Sequence, residues 1–246
     1  MRKIIRRFVF PLTRTLSIIS LPIKFFHRHY HSFMLMKRSK RVSKHGKEIL
    51  FKIKQIFDDN DVFFWLEFGT LLGAYRERGF IKHEDDIDLG VMITDAANVQ
   101  NILEKNGFRL FKKSMIKNVP ETVAQLQGYR YKKIPIDFYF FATENDKLYC
   151  YTFPELRDNN NNQISQTING VKSYKARVKT ITFPYNGFET IDFMGEKFNV
   201  PSKTDIHLGS LYGPTFMTPM RKSTYKVSGV HYFPIEEKEG IVTKFY

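Results

Sequence analysis

Three aspartates in this chain could hold a divalent cation. Asp86 and Asp88 stand two apart in Glu84-Asp85-Asp86-Ile87-Asp88-Leu89, and Asp137 stands alone in Ile134-Pro135-Ile136-Asp137-Phe138-Tyr139-Phe140-Phe141. Alternate residues of a strand share a face, so Asp86 and Asp88 would present both carboxylates together. Two such charges repel unless a cation lies between them. Hard carboxylate oxygens suit Mg²⁺ or Mn²⁺. By itself an Asp-x-Asp can equally be an acidic turn facing water. Asp137 adds weight, because a carboxylate in so apolar a run needs a partner. That partner could be a cation such as Arg130, or a metal shared with Asp86 and Asp88 if the two strands are neighbours.

Just upstream lies Glu67-Phe68-Gly69-Thr70-Leu71-Leu72-Gly73-Ala74-Tyr75-Arg76. Gly69 would let the backbone approach a ligand. Thr70 offers a hydroxyl and a helix-start amide to phosphate oxygens, and Arg76 could fork onto a phosphate. Glu67 and Asp85 are possible substrate contacts. Each has a plainer role as well: turn, helix cap, salt bridge, strand end.

The elements that must carry these residues are legible from periodicity. Glu48 to Asp58 repeats its apolar residues at helical spacing. Val62 to Phe68 reads as a strand, Leu71 to Arg78 as a short helix ended by Gly79, and Ile87 to Ile93 as a second strand. Asp95 to Asn106 is a helix capped by Thr94 or Asp95. Gln125 to Lys132 and Ile134 to Ala142 are strands. Phe188 to Val200 suggests a hairpin turning at Met194-Gly195, and Asp205 to Tyr212 a short helix. Helices and strands mix without a βαβ rhythm, so the class is α+β.

The formal net charge of +14 is concentrated at one end. Residues 1–47 hold thirteen Lys and Arg and no acid, leaving 26 basic against 25 acidic residues elsewhere. The expected division is a basic amphipathic tail, 1–44, and a catalytic domain, 45–246. Arg14 and Lys24 interrupt the tail's apolar residues, and Pro11 and Pro22 are expected to break helices there. No stretch approaches the roughly 20 apolar residues of a spanning helix. The tail is expected to lie on an anionic membrane surface, with packing on the body or RNA binding as other uses of the same charge. A nearly neutral body argues against nucleic acid as partner. The single cysteine, Cys150, excludes an internal disulfide and a cysteine-rich zinc site and fits a cytoplasmic setting.

Trp65-Leu66-Glu67-Phe68-Gly69-Thr70-Leu71-Leu72-Gly73-Ala74-Tyr75-Arg76, then Gly79-Phe80-Ile81 and Glu84-Asp85-Asp86-Ile87-Asp88-Leu89-Gly90, closely resembles the LicD family of phosphocholine transferases and the related fukutin group. The resemblance spans roughly residues 45–220. It implies a nucleotidyltransferase-like fold, a small mixed sheet flanked by helices, with Asp86, Asp88 and Asp137 around divalent metal. It also implies transfer of a phospho-alcohol, foremost phosphocholine, from a CDP-activated donor to a sugar hydroxyl. The acceptor would be a lipid-linked or surface glycan, reached from the inner face of a bacterial plasma membrane. The sequence departs from the family at His83-Glu84, where Trp-Asp is usual. A template-independent nucleotidyltransferase and a non-catalytic glycan-binding scaffold are the competing readings.

Overall fold

The computed structural model describes residues 10–119, 126–168, 170–219 and 233–245; for residues 10–31, 168 and 233–238 only the backbone is described. The side chains expected to meet a membrane therefore lie mostly outside the described set. A first helix, α1, runs from Phe10 to Asp58 without interruption at Pro22. The expected break there does not occur; a proline removes one helical hydrogen bond, a local loss that the turns on either side can bridge. The helix also passes through residue 44, where the tail was expected to end. Val42 is already buried, and Ser39 Oγ donates to the Lys82 carbonyl at 3.0 Å. No helix among the described residues is long and apolar enough to cross a membrane.

After α1 come β1 (Phe64–Leu66), α2 (Phe68–Glu77), β2 (Ile87–Met92) and α3 (Ala96–Lys105). Then follow β3 (Arg109–Ile116), β4 (Leu126–Tyr131), β5 (Ile134–Glu144), β6 (Lys147–Thr152), β7 (Ser165–Ile168) and β8 (Val171–Pro184). The hairpin β9 (Phe188–Phe193) and β10 (Glu196–Pro201), helix α4 (Thr204–Tyr212) and strand β11 (Phe233–Lys244) complete the described elements. The hairpin turns at Met194 (φ 56°) and Gly195 (φ 95°), the left-handed pair that a two-residue connection requires. Helix α2 starts three residues earlier than its periodicity suggests. Its left-handed terminal residue is Arg78 (φ 53°) rather than Gly79, with the Arg78 N–H donating to the Gly73 carbonyl.

The main sheet has nine strands and is larger than expected. Among the described residues only β2 and β5 pair in parallel. Strand β5 explains the topology, because it is long enough to have three neighbours. Its first half pairs with β2 on one edge and with β4 on the other, and its last four residues pair with β6. Since β4, β3, β11, β8 and β6 are joined in that order, the pairings close into a six-stranded ring.

Alternation on β2 and β5 sets what faces what. Ile87, Leu89 and Val91, with Ile134, Ile136, Phe138 and Phe140, join the core beneath α1, which contributes Ile49, Leu50, Ile53 and Phe57. Burying a side chain such as Phe57, whose ring sits 5.6 Å from that of Phe138, is worth about 1.5–3 kcal/mol. Asp88 and Gly90, with Asp137 and Tyr139, take the opposite face by the same alternation. A second cluster packs behind them, with Trp65, Phe141, Leu148, Ile181 and Phe183. The sheet thus sets Asp88 and Asp137 on the face opposite its main apolar core.

Candidate active site

Helix α2 leaves the end of β1 through a tight turn. Phe68 there has φ 45°, a value costly for a bulky side chain, and such strain is typical of functional turns. The turn is over-determined by Glu67, which is wholly buried. Its Oε1 accepts from the Phe68 N–H at 3.1 Å and capping α2, and its Oε2 accepts from Trp65 Nε1 at 2.7 Å. His207 Nε2 of α4 lies 2.8 Å from the same Oε1. With the carboxylate accepting, the imidazole donates. Glu67, expected as a substrate contact, instead spends its oxygens locking β1, α2 and α4 together.

Thr70 also turns inward. It is fully buried, and its hydroxyl accepts from the Asp88 N–H at 2.9 Å, tying α2 to β2. The Gly69 N–H points at Asp88 Oδ2 at 3.4 Å. Arg76 lines the cavity in front of α2, where its guanidinium donates to Glu77 Oε1 (2.7 Å) and to the Phe216 carbonyl (2.9 Å). Asp85 is buried and faces Arg38 of α1 at 3.8 Å.

The cavity has a volume of about 570 Å³ and is bordered by Gly69, Arg76, Glu84, Asp86, Asp88 and Tyr139, with the rings of Phe68 and Tyr212. Glu84, Asp86 and Asp88 each offer a carboxylate oxygen within 4.8 Å of the others. Gly69 makes this possible: a Cβ there would stand 2.6 Å from Glu84 Oε2. Burial and the charges of Asp86, Glu84 and Asp137 push the Asp88 carboxyl well above its usual range, against the pull of the Gly69 N–H. Burial foremost, then the charges of Asp88, Asp137 and Asp86, pushes the Tyr139 hydroxyl up.

Asp137 is the register partner of Asp88 across the parallel pair. The two strands are therefore neighbours, as the sequence reading required. The expected partner of Asp137 was not found at Arg130, whose guanidinium instead lies 4.2 Å from the Phe111 ring. Lys112 of β3 takes the role, with Nζ 2.8 Å from Asp137 Oδ2. Asp137 Oδ1 is buried with no hydrogen-bond partner. The cation-ready trio is thus Glu84, Asp86 and Asp88, with Asp137 beside it and held by a lysine. Glu84 was absent from the expected site, although extending the alternation of Asp86 and Asp88 by one step reaches it. Lys112 and His207 carried no local signal, since only the fold brings them near.

A strand, a turn and a helix thus close onto the carboxylates of the next strand. Residues 61–203 match the model of the LicD/FKTN/FKRP nucleotidyltransferase domain, and the chain belongs to that family. It is 28% identical over 186 residues to the mouse ribitol-5-phosphate transferase FKTN, covering 75% of this chain and 36% of that protein. It is 32% identical over 105 residues to an uncharacterized protein of Rickettsia prowazekii, covering 42% and 35%. The chain spans about a third of the length of these relatives. Among solved structures, the lincosamide adenylyltransferase LnuA with lincomycin bound aligns at 17% identity and a TM-score of 0.37, over 63% of this chain and 78% of that one.

Proposed function

We propose that this protein transfers a phospho-alcohol from a CDP-activated donor to a sugar hydroxyl. The observation that carries the reading is the meeting of Glu84, Asp86 and Asp88 with Asp137 at the mouth of the α2 turn. So many acidic oxygens in a half-buried cleft suit a divalent cation. Asp137 Oδ1, buried without a hydrogen-bond partner, and the upward push on Asp88 both suit a cation bound among these carboxylates. Glu84, Asp86 and Asp88 would hold Mg²⁺ or Mn²⁺, which supplies charge neutralisation on the diphosphate oxygens.

The chain's own groups do the rest. Gly69 at the α2 N-terminus lines the cavity, where the positive end of the helix dipole favours phosphate. Arg76, already oriented by Glu77 and Phe216, adds positive charge at the same wall. Asp137, fixed through Oδ2 by Lys112, stands beside Asp88 across the parallel pair, and a carboxylate of the cavity accepts the proton of the attacking hydroxyl. The new P–O bond forms to the sugar oxygen, the P–O bond to CMP breaks, and CMP departs with the electron pair. Thr70 acts through Asp88, and Glu67 through the α2 turn, so both are positioning residues.

The aromatic rings of Phe68, Tyr139 and Tyr212 at the cavity suit a quaternary ammonium such as choline. The relatives named as ribitol-5-phosphate transferases make CDP-ribitol the second donor to try. The acceptor would be a lipid-linked glycan, and the basic residues of 1–44 would hold the enzyme at the cytoplasmic membrane face. The test is CMP release from CDP-choline, CDP-ribitol, CDP-ethanolamine and CDP-glycerol with Mg²⁺. Asp88→Asn should lower it by about two orders of magnitude or more, as losses of electrostatic stabilisation do. Equal release by the variant, or release indifferent to EDTA, rejects the reading.

A further inference from the structure

A second cavity, of about 400 Å³, opens inside the strand ring. Every strand of the ring lines it: Ser114 from β3, Leu126 from β4, Tyr139 from β5, Thr152 from β6, Lys179 from β8 and Val242 from β11. Its volume falls within the range of small-molecule sites, roughly 300–1,000 Å³. Tyr139 also borders the first cavity, so one ring stands between the two.

The register ties this lumen to the carboxylates. One cross-strand row reads Asp88, Asp137, Gly128, Lys112 over β2, β5, β4 and β3. The next row on that face reads Tyr139, Leu126, Ser114, Val242 over β5, β4, β3 and β11. Same-face neighbours along a strand are about 7 Å apart. The wall of the lumen therefore lies one step from Asp137, and Lys112, which holds Asp137, lines the lumen as well.

The lining has the character of a site for a neutral polyol. Its charges are of both signs, Lys112 and Lys179 against Glu155, and they are engaged: Lys112 with Asp137, Glu155 with Lys244 at 2.6 Å. Hydroxyls of Ser114 and Thr152 add donors and acceptors. Phe153, Pro154, Leu126 and Val242 give flat apolar surface for the C–H face of a sugar ring. A site balanced in charge, part apolar and part hydrogen-bonding, discriminates by hydroxyl placement.

We propose that the lumen of the strand ring is the acceptor subsite and takes a neutral sugar, whose reacting hydroxyl passes Tyr139 to the carboxylates of the first cavity. This rests on the transferase reading above. The hydroxyl proton goes to one of those carboxylates as the sugar oxygen bonds to phosphorus and CMP leaves. Donor and acceptor then enter from opposite sides of Tyr139, which keeps the alcohol being transferred out of the acceptor's place.

The test uses saturation-transfer NMR on the full chain with methyl glucoside, methyl galactoside and methyl mannoside. CMP release to water from the preferred CDP-alcohol is followed in parallel. At least one glycoside should bind the wild type. Ser114→Phe, which fills the lumen, should weaken that binding about tenfold or more while CMP release stays within about threefold. Lys179→Met changes the lining with less added bulk and should weaken the same glycoside, which covers the case in which Ser114→Phe does not fold. Binding undiminished in both variants, or no glycoside bound by a wild type that releases CMP, overturns the lumen proposal. Saturable inorganic phosphate in place of glycosides overturns the neutral-sugar class. Failure of the transferase reading looks different: no CMP release from wild type, with glycoside binding still lost in the filled variant.

Discussion

Lys112 reaches Asp137 over a glycine. A Cβ at Gly128 would stand 3.1 Å from Lys112 Cε and 2.8 Å from Asp137 Oδ1. The missing side chain on β4 is therefore what lets a lysine of β3 grip a carboxylate of β5. Gly128→Ala should force the two apart and lower kcat by about tenfold to a hundredfold, since small misplacements of reacting groups are expensive. Steady-state CMP release, with circular dichroism to confirm the fold, checks this. Wild-type kcat in a folded variant would show that the grip has no catalytic consequence.

A similar dependence links Gly69 to Glu84, whose Oε2 would lie 2.6 Å from an added Cβ. Gly69→Ala should swing the glutamate away from Asp86 and Asp88. Mn²⁺ affinity, measured by calorimetry, should fall about tenfold to a hundredfold, as it should in Glu84→Gln. Unaltered affinity in both proteins would remove Glu84 from the ligand set.

Asp88 predicts a pH dependence. Its folded carboxyl is raised by burial and by the charges of Asp86, Glu84 and Asp137, whereas unfolded it returns to about 3.9. Between those values the folded state holds a proton that the unfolded state has lost. Stability without metal therefore falls as pH rises from the usual carboxylate range through the raised value. Melting curves in EDTA should show this slope, and Asp88→Asn should flatten it and melt higher above neutrality. Mg²⁺ should stabilise the wild type most at high pH. A slope of opposite sign would refute the assignment.

The Glu67 carboxylate accepts from Trp65, Phe68 and His207 with no exposure to water. Glu67→Leu would leave two buried donors, Trp65 Nε1 and His207 Nε2, wanting at about 1–3 kcal/mol each, and would uncap α2 at the half-buried Phe68 N–H. A fall in Tm of ten degrees or more is expected, with soluble expression reduced. Glu67→Gln retains one acceptor oxygen and should lose less. Were Glu67 a mere surface contact, both variants would melt like wild type.

The catalytic stretch was readable because its physics is local. Alternation gave Asp86 and Asp88 a common side, and β2 and β5, which had to be neighbours for Asp137 to join them, are register partners at Asp88 and Asp137. Glycine and apolar periodicity located α2 to within three residues. What was missed depends on distant chain. Strand β3, Arg-Leu-Phe-Lys-Lys-Ser-Met-Ile, is mostly half-buried and has no clean alternation, because its lysines serve the ring's interior and its neighbours. Asp137 announced that it needed a partner, yet nothing in the sequence could choose Lys112 over Arg130. Glu67 and Thr70 looked like ligand contacts because the same polar groups cap a helix equally well. Only their burial separates the two roles.

Strand β11 lies between β3 and β8, so the ring is sewn shut by a segment more than a hundred residues from β3 along the chain. If the lumen takes the acceptor as proposed, a chain without β11 would keep the carboxylate cleft of α2, β2 and β5 and lose the chamber beside it.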